Sequence, residues 1–171
     1  MTAAVAILLF VTLQRLAELL VSRRNTRRLL ARGAYEVGAS HYPLIVIVHA
    51  GWLASLWWLA PGRPVAWLPV ALFALLQAAR LWILASLGGR WTTRIIVRPE
   101  ETLVAHGPFR WLRHPNYAVV IGEIALLPLA FGLVWVTLSF SVLNAAVLTV
   151  RIRAENRALA PLRREMRMQG S

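Results

Sequence analysis

Two short stretches gather the residue types that could hold a small zwitterionic ligand. Gly107-Pro108-Phe109-Arg110-Trp111-Leu112-Arg113-His114-Pro115-Asn116-Tyr117 places a proline and an asparagine at an expected helix start, beside a histidine and a tyrosine. Backbone N–H groups in the first turn of a helix lack intrahelical partners, so such a start offers donors to a carboxylate. Arg151-Ile152-Arg153-Ala154-Glu155-Asn156-Arg157-Ala158-Leu159 puts Arg151 and Glu155 one turn apart on one helical face, able to meet opposite charges. The plainer reading of the same residues is a proline-capped helix with ordinary membrane-edge charges.

A second set of candidates lies within apolar runs, where an ionisable side chain is costly unless it faces protein, water or a partner. Arg80 is the clearest, about two turns from the end of its run, with a planar fork of donors suited to an oxyanion or to a salt bridge with Glu123. Glu123 shares a face with Asn116, seven residues earlier, and is expected to partner Arg80, orient a ligand or accept a proton. Arg15 and Glu18 are three apart and read as a structural pair. Gln77 and Asn144 read as hydrogen-bonding glue between helices. His41 and His49 have no third ligand at metal spacing, so no metal site is expected. The absence of cysteine excludes disulfides and thiol chemistry.

The elements that must position these residues follow from composition. Of 171 residues, 58% are hydrophobic, and mean hydropathy is +0.60, well above an ordinary soluble domain. The net charge of +12 comes from arginine alone, since every basic residue is Arg and every acid is Glu. Because the arginines lie between long apolar runs, anionic lipid rather than nucleic acid is the expected counter-charge. Five segments approach the roughly 20 apolar residues a spanning helix needs: Thr2 to Val21, Tyr42 to Ala60, Val65 to Leu87, one starting near Asn116 and one ending near Val150. The expected fold is an all-α integral membrane protein of about five transmembrane helices in a single domain over residues 1–171. Pro128, Phe131 and Gly132 mark a break that makes the last two helices a tight hairpin. The N-terminal run has no preceding basic segment and reads as a retained helix rather than a signal peptide.

Arginines follow the first, third and fifth segments, and only Arg63 lies in an opposite turn. Basic loops stay on the cytoplasmic side, so the N-terminus is expected outside and the C-terminus inside. Tryptophans near the helix ends, among them Trp52, Trp57, Trp58, Trp67 and Trp111, fit an interfacial belt. The connection from Gly88 to Pro115 is too long for a mere turn. Its Trp91–Val97 stretch, a Pro99-Glu100-Glu101 turn and Thr102–Ala105 outline a small cytoplasmic β-hairpin. After Ala160 the chain reads as a frayed basic helix or coil.

With these residues in view, the sequence resembles the isoprenylcysteine carboxyl methyltransferase family of membrane-embedded, S-adenosylmethionine-dependent enzymes. The run from Gly107 to Tyr117 looks like that family's Gly-Pro-aromatic, Arg-His-Pro-x-Tyr motif. Arg151-Ile152, Glu155 and Leu159 resemble its C-terminal motif, and Arg80 with Leu87, Gly88 and Trp91 sits where the family has a substrate-orienting arginine. The likeness spans about Arg80 to Leu159, the expected cofactor-binding half (about 80–160). Gln14-Arg15-Leu16-Ala17-Glu18, Gly33-Ala34-Tyr35-Glu36 and His41-Tyr42 further resemble a short bacterial branch, encoded beside type III polyketide synthases, thought to methylate alkylpyrone hydroxyls. Asn156 departs from the family, which usually has a second glutamate there, and the tail is short.

The resemblance implies S-adenosyl-L-methionine bound by Arg113, His114, Pro115, Tyr117, Arg151, Glu155 and Asn156. It implies catalytic roles for Arg80, Glu123 and Glu155, and a lipophilic acceptor carrying an alkylpyrone-like hydroxyl or a prenylcysteine-like carboxylate. Membrane lipids are the other expected partners, and the oligomeric state is left open. An NADPH-dependent membrane reductase, a phospholipid N-methyltransferase and a non-enzymatic scaffold are the alternatives.

Overall fold

A computed structural model describes residues 2–99 and 102–169. The protein is an all-α, multi-pass membrane protein with a two-stranded sheet at one end. Its helices are α1 (Ala3–Leu30), α2 (Tyr42–Leu59), α3 (Trp67–Leu87), α4 (Pro115–Ala130) and α5 (Val134–Gln169), and its strands are β1 (Tyr35–Val37) and β2 (Ile95–Val97). Among the described residues, four helices are long and apolar enough to cross a membrane; α4, at 16 residues, is shorter. At about 1.5 Å per residue α4 is about 24 Å long, short of a bilayer core of about 30 Å.

Two helices outrun their apolar segments. Thr2 caps α1 by accepting from Val5 N, and no glycine or proline interrupts the chain before Gly33. The helix therefore runs past Val21 through the arginines to Leu30, where Gly33, at φ +83°, lets Ala34 N–H turn back to Leu29 O at 3.1 Å. In α5 the Arg-, Ala- and Glu-rich tail likewise continues the helix to Gln169. The side chains of Arg163, Arg164 and Arg167 lie outside the described residues, as do Glu100 and Glu101 of the expected turn.

The break between α4 and α5 is only Phe131–Leu133. Pro128 O accepts from Phe131 N–H and Leu133 N–H, and Gly132 takes the left-handed conformation, so the chain reverses with its carbonyls satisfied. Phe131 and Leu133 are buried, and Ala66 N–H donates to Ala130 O at 2.8 Å. Irregular backbone at membrane depth is tolerated when protein covers it in this way.

Ala4, Leu8 and Val11 of α1 pack with Trp52, Leu56, Phe73, Ile124 and Leu127 in the main core. Trp52 is thus a core residue rather than a belt residue, and its indole N–H donates to Ile124 O at 3.2 Å. Trp58, Trp67 and Trp111 are exposed as an interfacial belt requires. A Cβ on Gly122 would lie 2.5 Å from Leu76 Cδ1, so α3 and α4 approach closely there.

The small sheet is present, but its strands come from different connections. β2 pairs antiparallel with β1, in register Tyr35↔Val97, Glu36↔Ile96, Val37↔Ile95, whereas Thr102–Ala105 forms no strand. Arg94 fastens the pair: Nη1 donates to both Glu36 oxygens at 3.0 and 2.8 Å, and its Cζ lies 4.5 Å from the Tyr42 ring centroid. The hydrogen bonds to Glu36 raise the Arg94 guanidinium above its ordinary value, against a lowering from burial. A hydrophobic contact of Ile95 and Val97 with Leu162 on α5 seats the sheet against the bundle.

Candidate active site

Between this sheet, the α4 N-terminus and the C-terminal half of α5 lies a cavity of about 400 Å³, within the size range of small-ligand sites. His114 and Pro115 begin one wall because proline, lacking an N–H, is suited to the first helical position. Tyr117 follows a turn later, its ring stacked on His114 with centroids 5.4 Å apart. Arg151 and Glu155 enter from α5, one turn apart as the sequence requires.

These groups meet. The Tyr117 hydroxyl donates to Glu155 Oε2, and His114 Nδ1 lies 3.4 Å from Glu155 Oε1. Arg151 Nη2 donates to Thr93 O at 2.8 Å, with its Cζ 6.0 Å from the Tyr117 ring centroid. Arg113 also lines the cavity. Asn156 does not line it; its Oδ1 is 3.1 Å from His114 Nε2, so it bears on the site through the histidine.

The expected row of helix N-terminal donors is thinner than a generic helix start provides. Pro115 has none, and the N–H groups of Tyr117 and Ala118 both donate to His114 O, at 3.1 and 3.3 Å. Asn116 supplies the first-turn N–H left over. Among the lining residues, Trp91 Nε1 and Asn116 Oδ1 are buried with no hydrogen-bond partner. Such orphaned groups are costly, and they mark places where a polar ligand can repay the burial. A cation, an anion, a spare N–H and two orphaned polar atoms around one cavity fit a small zwitterionic ligand.

Arg80 and Glu123 are brought together elsewhere. Arg80 Nε donates to Glu123 Oε1 at 2.9 Å, its Nη2 also bonds Glu123 Oε2, and its Nη1 reaches Glu18 Oε2 at 3.2 Å. Arg15 joins the same cluster, 2.6 Å from Glu123 Oε2 and 3.0 Å from Glu18 Oε2. Two cations and two anions leave no formal charge. The pairs expected separately are thus one charge-balanced network. Gln77, read as glue, belongs to it as well: its Nε2 donates to Glu123 Oε1 at 2.7 Å and its Oε1 accepts from Gln14 at 2.7 Å.

None of these four charged residues lines the cavity. Counting along α3 from Leu87 to Arg80 and along α4 from Tyr117 to Glu123, the cluster lies about 9–10 Å deeper in the bundle. By their positions on the two helices, Ile83 and Val119 fall between the two, in a buried apolar group with Trp91.

Residues 68–161 match the model of the isoprenylcysteine carboxyl methyltransferase (ICMT) family. The chain is 45% identical over 151 residues to the protein named "Uncharacterized protein YpbQ" of Bacillus subtilis (strain 168), covering 85% of this chain and 90% of that one. It is 26% identical over 156 residues to an "Uncharacterized protein" of Haemophilus influenzae (strain ATCC 51907 / DSM 11121 / KW20 / Rd), covering 86% and 90%. No solved structure matches the chain.

Proposed function

The chain belongs to the isoprenylcysteine carboxyl methyltransferase family, and from that premise we propose that it is an S-adenosylmethionine-dependent O-methyltransferase for a lipophilic acceptor. The observation that carries the proposal is the meeting of Arg151 and Glu155 with His114 and Tyr117 around one cavity. The whole chain would act as one membrane domain, with residues 80–160 forming the cofactor half. The arginine-rich end carrying the cavity would face the cytoplasm, with the N-terminus outside.

The cofactor's part, when bound, would be to supply a methyl group on a sulfonium: an ionised acceptor oxygen would gain the O–CH3 bond as the S–CH3 bond breaks, with the neutral thioether as leaving group. Arg151 binds its carboxylate, helped by Asn116 N–H, and Glu155 binds its ammonium group. Tyr117 and His114 hold the Glu155 carboxylate in place, and Asn156 fixes the histidine ring. Arg113 adds a cation at the rim. The apolar group of Ile83, Trp91 and Val119 keeps water from the reacting atoms.

Arg80 serves the acceptor side. Of its five N–H donors, three go to Glu123 and Glu18, leaving one on each terminal nitrogen for an acceptor oxygen that would sit between the cluster and the cavity, beside Ile83 and Val119. Glu123 takes four donors, from Gln77, Arg80 twice and Arg15, which favours holding the guanidinium over accepting a proton. An acceptor already largely ionised near neutral pH, a carboxylate or an acidic enol, suits such a site.

The test is transfer of labelled methyl from S-adenosylmethionine into a lipid fraction by purified protein. Arg80→Lys loses the fork geometry and is expected to lower turnover by about tenfold or more while cofactor affinity stays within about twofold. Equal losses in both would remove Arg80 from the acceptor side, and no labelled lipid with wild type would contradict the activity.

A further inference from the structure

The part of the chain before the family match also reaches the cavity end of the bundle. Ser22 and Asn25 on α1 are only 2% and 5% exposed, and a buried polar side chain is costly unless hydrogen-bonded. Their partners all lie on the segment that leaves α3. Asn25 Nδ2 donates to Trp91 O at 2.9 Å and to Gly88 O at 3.3 Å. Ser22 Oγ accepts the backbone N–H of Thr93 at 2.8 Å and makes a second hydrogen bond, also 2.8 Å, with Thr93 Oγ1. Tyr42 Oη lies 3.0 Å from that same Oγ1.

The remaining polar atom of Thr93 is its carbonyl oxygen, which accepts from Arg151 Nη2 at 2.8 Å. Thr93 is therefore held at all three polar atoms, N and Oγ1 from the N-terminal helices and O from α5. Fixing its N–H and hydroxyl fixes the direction in which its carbonyl points. That carbonyl in turn orients the guanidinium of Arg151, a residue 6% exposed. A long side chain ordered before the ligand arrives loses less entropy on binding it.

We propose that Ser22 is a positioning residue of the cofactor site, acting on Arg151 through Thr93. The proposal rests on the function given above, in which Arg151 binds the cofactor's carboxylate. Ser22 itself touches no ligand. Under the proposal its effect on binding passes through Thr93 to Arg151, and a purely packing role would not.

A double-mutant cycle separates the two roles. Full-length detergent-purified wild type, Ser22→Ala, Arg151→Gln and the double variant are titrated with S-adenosylhomocysteine, and their melting temperatures are recorded alongside. Ser22→Ala is expected to weaken binding about 5–10-fold, with the double variant no weaker than Arg151→Gln alone, because residues in one hydrogen-bond network are non-additive. Thr93→Ser keeps all three polar atoms and should bind within about twofold of wild type, whereas the isosteric Thr93→Val, which loses Oγ1, should show the same non-additive loss. Thr93→Val stands in for Ser22→Ala if the latter does not fold. Additive losses, or a lowered melting temperature with unchanged affinity, overturn the positioning role while leaving the cofactor site intact. Failure of wild type to bind removes the cofactor site itself, and the positioning role with it.

Discussion

Glu123→Ala is expected to destabilise the detergent-solubilised protein by about 3–5 kcal/mol, the usual cost of removing one partner from a buried ion network. Glu123 is 1% exposed and takes hydrogen bonds from Arg15, Arg80 and Gln77. Its removal leaves two arginines facing Glu18 alone, with a net positive charge at membrane depth. Taking out a cation and an anion together, as in Arg80→Met with Glu123→Leu, leaves the neutral pair Arg15–Glu18 and should cost less than Glu123→Ala alone. Thermal or denaturant unfolding of the three proteins measures this. A loss below about 1 kcal/mol for Glu123→Ala would show that the four charges are not coupled as described.

The second large effect concerns the cavity. Glu155→Ala should weaken S-adenosylhomocysteine about 30-fold or more, since truncating one member of a hydrogen-bonded charge pair that the bound ligand would bury costs at least about 2 kcal/mol of binding. The substitution removes the anion proposed to meet the ligand's ammonium, and with it the acceptor of the Tyr117 hydroxyl and the carboxylate beside His114. Titration of the variant beside wild type measures it. Affinity within about threefold of wild type would place the ammonium elsewhere.

Much of this architecture was legible because lipid imposes simple rules. The apolar runs marked the helices, and Pro128 with Gly132 marked the turn between α4 and α5, since few residues other than glycine accept the left-handed conformation needed there. That Arg151 and Glu155 share one face of α5 was legible from spacing alone. The ends of α1 and α5 were not, because hydropathy falls at the arginines although helix propensity does not. That boundary hid Ser22 and Asn25. They continue the polar stripe Gln14, Glu18 along one face of α1, but with the helix ended at Val21 they read as loop residues. The β1–β2 pairing was also beyond local reading, since strands of three residues carry almost no periodic signal and the partner is about 60 residues away. Likewise, spacing paired Arg15 with Glu18, while the union of that pair with Arg80 and Glu123 depends on how α1, α3 and α4 pack.

The cofactor assignment is tested most directly by isothermal titration of the detergent-purified wild-type protein with S-adenosylhomocysteine and, separately, with NADPH. Saturable binding of S-adenosylhomocysteine alone is the predicted result; binding of NADPH alone, or of neither, would contradict it.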